Sequence, residues 1–301
     1  MTQEKEVENA VQTRSSRRRI AAVHRVGVSA RHSEAIALSE VTRRHGLEEQ
    51  LAQLRGEHDD LRRALFEAAQ AQRQLCGPRV LRRGPFEIAT EIFPVRHLSG
   101  DFTSLFEADG DLIFAIGDIA GKGLPAGMWF THLLGLVRLQ FSSHGDPAAT
   151  LAAVNRDLQR TSLGLPLASL FLGRLNPATG EITYCNAGHP PAFLLRANRK
   201  LEDLSTGGPL LGVLNAATYA NGKAILHPGD TLLGYSDGIT ECRNAVGEDF
   251  SMERLLAAAQ TACASGAAAI LFSALGAVED FAGSHPREDD FALIVVHRDA
   301  D

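Results

Sequence analysis

Four aspartates stand where carboxylates can act together: Asp101 in "SGDF", Asp118 in "GDIAGKG", Asp237 in "YSDG" and Asp289 in "EDDF", where Asp290 follows it. One aspartate at a strand end is ordinarily a turn former or a helix cap. Three of these, however, abut long apolar runs, and glycines and serines nearby let backbone approach closely. If the runs are neighbouring strands, their terminal carboxylates converge. Two bare carboxylates about 4 Å apart repel by roughly 4 kcal/mol at an effective dielectric of ~20, so a cluster of four takes up protons or recruits cations. With no cluster of His or Cys nearby, an all-oxygen set favours a hard cation such as Mg²⁺ or Mn²⁺ over zinc.

The loop "AIGDIAGKGLPAG" (115–127) also looks like a nucleotide cradle, but its spacing fails. A P-loop needs G-x-x-x-x-G-K-[ST]; Gly117 lies one residue too close to Gly121-Lys122, and Gly123 replaces the Ser or Thr. Gly121, Gly123 and Gly127 likewise miss the dinucleotide fingerprint by one residue. Lys122 is left as a candidate phosphate contact at the start of the following helix, with a solvated loop lysine as the alternative.

The elements that must position these groups are legible in outline. "FEIATEIF" (86–93) alternates as a half-buried strand does, and "DLIFAIGDI" (111–119) is apolar on both faces until Asp118. "LPAGMWFTHLLGLVRLQF" (124–141) reads as a helix, with Trp129 in its core packing. Asp146-Pro147 marks the start of another helix, to about Ser162. Residues 168–196 read as three strands joined by the turns "NPATG" and "GHPP", which makes His189 a locally hydrogen-bonded turn residue. "DTLLGYSDG" (230–238) is a buried strand, alanine-rich helices fill about 251–281, and "DDFALIVVHR" (289–298) closes the chain with a strand. Strands joined by tight turns, with helices grouped, indicate an α+β fold with antiparallel sheets.

The 301 residues, 45% hydrophobic, suffice for one sizeable core plus an appendage. The net charge is −6, which argues against nucleic acid or an anionic membrane as partner. No run approaches the roughly 18 apolar residues of a spanning helix, and the N-terminus lacks a signal-type segment. Cys76, Cys185, Cys242 and Cys263 are scattered with no CxxC pairing, as expected of a protein in a reducing cytoplasm.

Residues 1–45 carry nine Lys/Arg against five Glu and no sustained apolar period, so they are expected to form a polar, disordered tail. From Leu47 a heptad seam runs through Leu51, Leu54, His58, Leu61, Leu65, Ala68, Gln72 and Leu75, imperfect at His58, Ala68 and Gln72. This coiled-coil-like segment, 46–76, either joins two copies of the chain through 47–75 or packs on its own domain. "CGPRVLRRGP" (76–85) ends it.

Taken in order, "SGDF", "GDIAGKGLPAG", "ASLFLGRLNPATGEITYCNAGHPPAFLL", "GPLLGV", "HPGDTLLGYSDGITE" and "REDDFALIVV" resemble the bacterial serine phosphatases of the stage-II sporulation protein E type. That type lies within the metal-dependent protein phosphatase (PPM) superfamily. The resemblance implies a PPM-type domain over 84–299, built as two antiparallel β-sheets packed as a sandwich flanked by helices. It implies two Mn²⁺ or Mg²⁺ ions held by Asp101, Asp118, the Ile119 carbonyl, Asp237 and Asp289, with Asp118 bridging and Asp290 in a secondary role. Asp118 and Asp237 are then the catalytic carboxylates of a two-metal hydrolysis of phosphoserine or phosphothreonine. Ala120 stands where animal-type relatives carry a histidine that protonates the leaving group, so no general acid is assigned. The implied substrate is a phosphorylated STAS-type anti-sigma-factor antagonist in a bacterial signalling switch. The competing reading is a pseudo-phosphatase that keeps the sandwich as a binding module; the presence of all four carboxylates favours the enzyme.

Overall fold

The computed structural model describes residues 2–160 and 167–300, with residues 2–37 and 41 described through their backbone alone. Helix α1 (Thr2–Leu75) leads into β1 (Val80–Arg83), β2 (Phe86–Phe93), β3 (Phe102–Ala108) and β4 (Asp111–Ile119). Helices α2 (Leu124–His144) and α3 (Pro147–Arg160) precede β5 (Ala168–Leu175), β6 (Glu181–Ala187), β7 (Ala192–Leu195) and β8 (Leu201–Leu204). The two-residue β9 (Gly207–Gly208), β10 (Gly222–Ile225) and β11 (Thr231–Tyr235) follow. The one-turn α4 (Asp237–Thr240), α5 (Ser251–Ala262), α6 (Ala267–Ala282) and β12 (Phe291–Arg298) complete the order.

The strands form two sheets, one ordered β1-β2-β12-β11-β7-β8 and the other β10-β6-β5-β4-β3. Their ladders are antiparallel, and β9 alone pairs parallel, to β6. Three apolar clusters cement four layers. Leu112, Phe114 and Ile116 of β4 meet Leu232, Ile294 and Val296 of the facing sheet. The alternate residues Ile113 and Ala115 pack against Phe130, Leu134 and Leu151 of α2 and α3. On the far side, Leu233, Leu293 and Val295 pack against Ile270, Leu271 and Ala274 of α6. This is why β4 and β12 read as apolar on both faces: each is covered by a sheet on one side and helices on the other. The α+β sandwich expected from the sequence is the one found. Asp146 caps α3 as expected, its Oδ1 accepting the Ala149 N–H at 2.8 Å. The expected end of that helix near Ser162 lies outside the described residues.

The chain divides into two units, Met1–Ala64 and Leu65–Asp301. In the first, the backbone is helical from Thr2, where the sequence reading expects a disordered tail over 1–45. The difference has a local cause. No proline occurs before Pro78, and Ala, Glu, Gln and Arg are frequent, so nothing interrupts a helix although no apolar period announces one. The seam residues Leu47, Leu51, Leu54 and Leu61 are exposed.

Candidate active site

Each carboxylate sits where a strand begins or ends. The chain leaves β2 in one sheet and crosses through residues 94–101 to β3 in the other, and Asp101 is the last residue of that crossing. Asp118 is the penultimate residue of β4. Asp237 follows β11 and opens α4, and Asp289 and Asp290 immediately precede β12.

Asp101 is 4% exposed. It hydrogen-bonds to Asp118 and to the Ser236 hydroxyl, and its Oδ2 has no partner. Burial pushes its carboxyl well above the usual range, the Ser236 hydroxyl opposes this, and the charges of Asp118, Asp290 and Asp237 add to it. Asp118 is raised to about 6, first by burial, then by Asp237, with Asp289 and Asp290 contributing and the hydrogen bond from Asp101 opposing. The five aspartates therefore influence one another electrostatically. Among them Asp101 and Asp118 are hydrogen-bonded, and Asp237 is exposed.

The crossing loop is tied down residue by residue. The Ile119 N–H donates to the Gly100 carbonyl at 3.2 Å. Asp290 is buried and accepts the Val95 N–H at 2.7 Å and the Gly100 N–H at 2.9 Å. Gly100 is required here: a Cβ would lie 2.9 Å from the Ile119 and Gly121 carbonyl oxygens and 3.3 Å from Asp118 Oδ1. The Ile119 carbonyl thus opens onto the same point as the Asp118 carboxylate.

Asp289 and Lys122 form an outer pair. Lys122 Nζ lies 2.8 Å from Asp289 Oδ2 and donates to the Glu288 carbonyl at 3.2 Å. The lysine of the glycine loop, a candidate phosphate contact or a solvated loop lysine by sequence, is placed on a carboxylate of the cluster. Asp289 Oδ1 also accepts the Asp290 N–H at 2.9 Å.

Ser236 and His189 are supporting residues that the sequence reading leaves out of the site. The Ser236 hydroxyl accepts the Ala292 N–H at 2.9 Å while bonding to Asp101. The stretch Gly234-Tyr235-Ser236-Asp237-Gly238 spells G-x-S-x-G, but this serine is fully buried and bonded to a carboxyl and the backbone, not to a histidine, so it is no nucleophile. His189 is buried and pushed down to about 4 by desolvation, hence neutral. Its ring Nδ1 is 2.8 Å from the hydroxyl of Ser169, the residue opposite Asp118 in the β4–β5 ladder. Asn186 holds the His189 backbone on both sides, its Oδ1 accepting the N–H at 2.8 Å and its Nδ2 donating to the carbonyl at 2.9 Å, the local turn bonding expected of "NAGHPP".

Among the described residues, no three Asp, Glu, His or Cys side chains close around a point as they stand. Asp101 and Asp118 turn to each other instead. The donor set nonetheless fits a hard cation: the side chains are all carboxylates, a backbone carbonyl faces the same space, and one buried carboxyl oxygen lacks any partner.

The chain is similar to known proteins in sequence and in fold. The family model for stage II sporulation protein E (SpoIIE) matches residues 108–299. The phosphoserine phosphatase RsbU of Bacillus subtilis is 27% identical over 248 residues, spanning 81% of this chain and 73% of RsbU. Among solved structures, the SiaA-PP2C domain of Pseudomonas aeruginosa superposes with a TM-score of 0.69 at 17% identity, covering 80% of this chain and 98% of that one. The RsbU and RsbW domains of Rv1364c from Mycobacterium tuberculosis give 0.63 at 26% identity, covering 71% and 62%. No described helix is long and apolar enough to cross a membrane. The chain belongs to the SpoIIE family, the PP2C-type (PPM) serine phosphatases, which depend on metal ions for activity.

Proposed function

We propose that Asp101, Asp118, the Ile119 carbonyl, Asp237 and Asp289 hold two Mn²⁺ or Mg²⁺ ions, with which the chain hydrolyses phosphoserine and phosphothreonine on a phosphorylated STAS-type anti-sigma-factor antagonist. The observation that carries this reading is the buried Asp101 carboxyl, its Oδ2 left unpartnered beside the half-buried Asp118. A carboxyl buried in this way is held at a cost that a cation relieves by replacing the proton. The ions supply a water acidic enough to attack phosphorus at neutral pH and positive charge for the phosphoryl oxygens.

The chain's own residues do the positioning. Asp118 interacts electrostatically with Asp101, Asp237 and Asp289, which supports giving it the bridging role. Ser236 orients Asp101, and Asp290 holds the loop behind it. Lys122 stands just before the N-terminus of α2, where no side chain caps the first turn, and draws the substrate phosphate towards the cluster. The target class rests on the relatives: RsbU is a phosphoserine phosphatase, and Rv1364c joins RsbU and RsbW domains in one chain. The exposed leucines of 47–75 form the seam of a homodimer. The four free cysteines support a cytoplasmic location.

The test is phosphate release from a phosphoserine STAS protein with and without Mn²⁺. Turnover that chelation removes, and that Asp101→Asn and Asp237→Asn each lose, is expected. Metal-independent turnover, or full turnover by either variant, would sink the reading.

A further inference from the structure

The heptad seam of α1 breaks at Gln72, and the structure gives this polar residue a partner. Its Nε2 donates to the Ser99 carbonyl at 2.8 Å, and its Oε1 accepts the Ser99 N–H at 3.2 Å. One carboxamide thus satisfies both peptide groups of a residue that is 2% exposed and two positions from Asp101. The neighbouring Gly100 is held by Asp290 at its N–H and by Ile119 at its carbonyl. The backbone leading to Asp101 is therefore gripped from two sides, and Gln72 is the grip that comes from α1.

Gln72 itself is anchored. The Leu105 N–H of β3 donates to the Cys76 carbonyl at 2.8 Å, and Arg138 of α2 donates to the Leu75 carbonyl at 2.7 Å. Gly77 follows at φ +95, where a Cβ would run into the Leu105 carbonyl, so the end of α1 sits flush on the strand that begins just after Asp101.

We propose that Gln72 is a positioning residue for Asp101: its carboxamide fixes the Ser99-Gly100-Asp101 turn so that the Asp101 carboxyl presents its free oxygen to a divalent cation. The proposal rests on the ligand assignment above. A carboxamide is suited to this work because it donates and accepts in one plane, as a peptide group does. Methionine has nearly the same length and neither function, so Gln72→Met removes the grip while filling the space. Groups that orient metal ligands typically change metal affinity by about 10–100-fold when lost.

The experiment is direct Mn²⁺ titration by calorimetry on the full chain, for wild type, Gln72→Met, Gln72→Ala and Asp101→Asn. It is paired with Mn²⁺ activation curves on an aryl phosphate. Both Gln72 variants are expected to bind Mn²⁺ at least about tenfold more weakly and to need correspondingly more Mn²⁺ for half-activation. At saturating Mn²⁺ their kcat should stay within about twofold of wild type, a split that simple loss of folded protein does not produce. Wild-type Mn²⁺ affinity in both variants, alongside lost affinity in Asp101→Asn, overturns the role of Gln72 alone. Retained affinity in Asp101→Asn overturns the ligand assignment, and this proposal with it.

Discussion

Replacing Asp118 by Asn separates what the carboxylate costs the fold from what it gives the chemistry. Asp118 is raised from 3.8 to about 6 by burial and by neighbouring carboxylates. Such a rise corresponds to roughly 3 kcal/mol of destabilisation when the group is ionised. Asn keeps the shape and removes the charge, but it weakens the hydrogen bond with Asp101, a loss of about 1 kcal/mol. A net gain of about 2 kcal/mol remains, or roughly 4–8 °C in Tm for a domain of this size. The sign with pH follows from the raised value. The stability that protonated Asp118 lends the fold is fully present below about 3.8 and is lost as pH rises through about 6. In EDTA at pH 7.5 the variant should therefore melt above wild type, and the gap should close as the pH falls from 6 towards 4. Saturating Mn²⁺ should reverse the order, because an ion at about 100 times its Kd stabilises by roughly 2.7 kcal/mol and the variant lacks the charge proposed to bridge the ions. Phosphatase activity should fall to near background. A variant that melts below wild type in EDTA at pH 7.5, or one that turns over normally in Mn²⁺, would refute the reasoning.

Lys122→Ala should leave stability within about 1 kcal/mol, since the pair with Asp289 is half-exposed, yet raise KM for a phosphopeptide several-fold. An unchanged KM would leave Lys122 as a loop lysine. Asp290→Ala strands the Val95 and Gly100 N–H groups and should cost about 3 kcal/mol in urea unfolding; a loss below about 1 kcal/mol would show that the loop is held elsewhere. Leu61→Asp with Leu65→Asp should convert a dimer to monomers in light scattering, each leucine contributing about 2 kcal/mol when buried at a seam. A wild type that is monomeric at tens of micromolar would remove the dimer.

The central strands were legible because they obey simple rules, whereas their stacking as a sandwich came from the family resemblance. Strand β4 alternates between two apolar faces, and β5 and β6 are bounded by a turn spelled "NPATG". The short edge strands were not. β1 is largely exposed, carries "VLRR" and exists because it pairs with β2, Val80 opposite Ala89. No local pattern encodes a strand whose stability lies in its partner. The same division runs through the site. That carboxylates end the strands can be read directly. That Asp290 grips Val95 and Gly100 cannot, because about two hundred residues separate the partners and only the fold brings them together. Gln72 left a trace as a polar break in an apolar seam, a signal that something polar awaits it without saying what.

The adjacent pair Asp289–Asp290 shows how the sandwich divides labour between identical side chains. Both lie in the turn that leads into β12. One carboxylate turns outward to Lys122, and the other turns inward to backbone N–H groups and is satisfied there. The inward one cannot serve an ion without abandoning the loop that carries Asp101. Asp118 comes from the end of β4 in one sheet, Asp237 and Asp289 come from the adjoining ends of β11 and β12 in the other, and Asp101 lies on the crossing between them. Neither sheet alone owns the cluster. Its geometry depends on Leu112, Phe114 and Ile116 seating against Leu232, Ile294 and Val296. Under the proposed ligand assignment, ion binding and sheet packing are linked, and Ile294→Ala, which loosens this interface, should weaken Mn²⁺ affinity in calorimetry although no ligand has been touched; unchanged affinity would break the link.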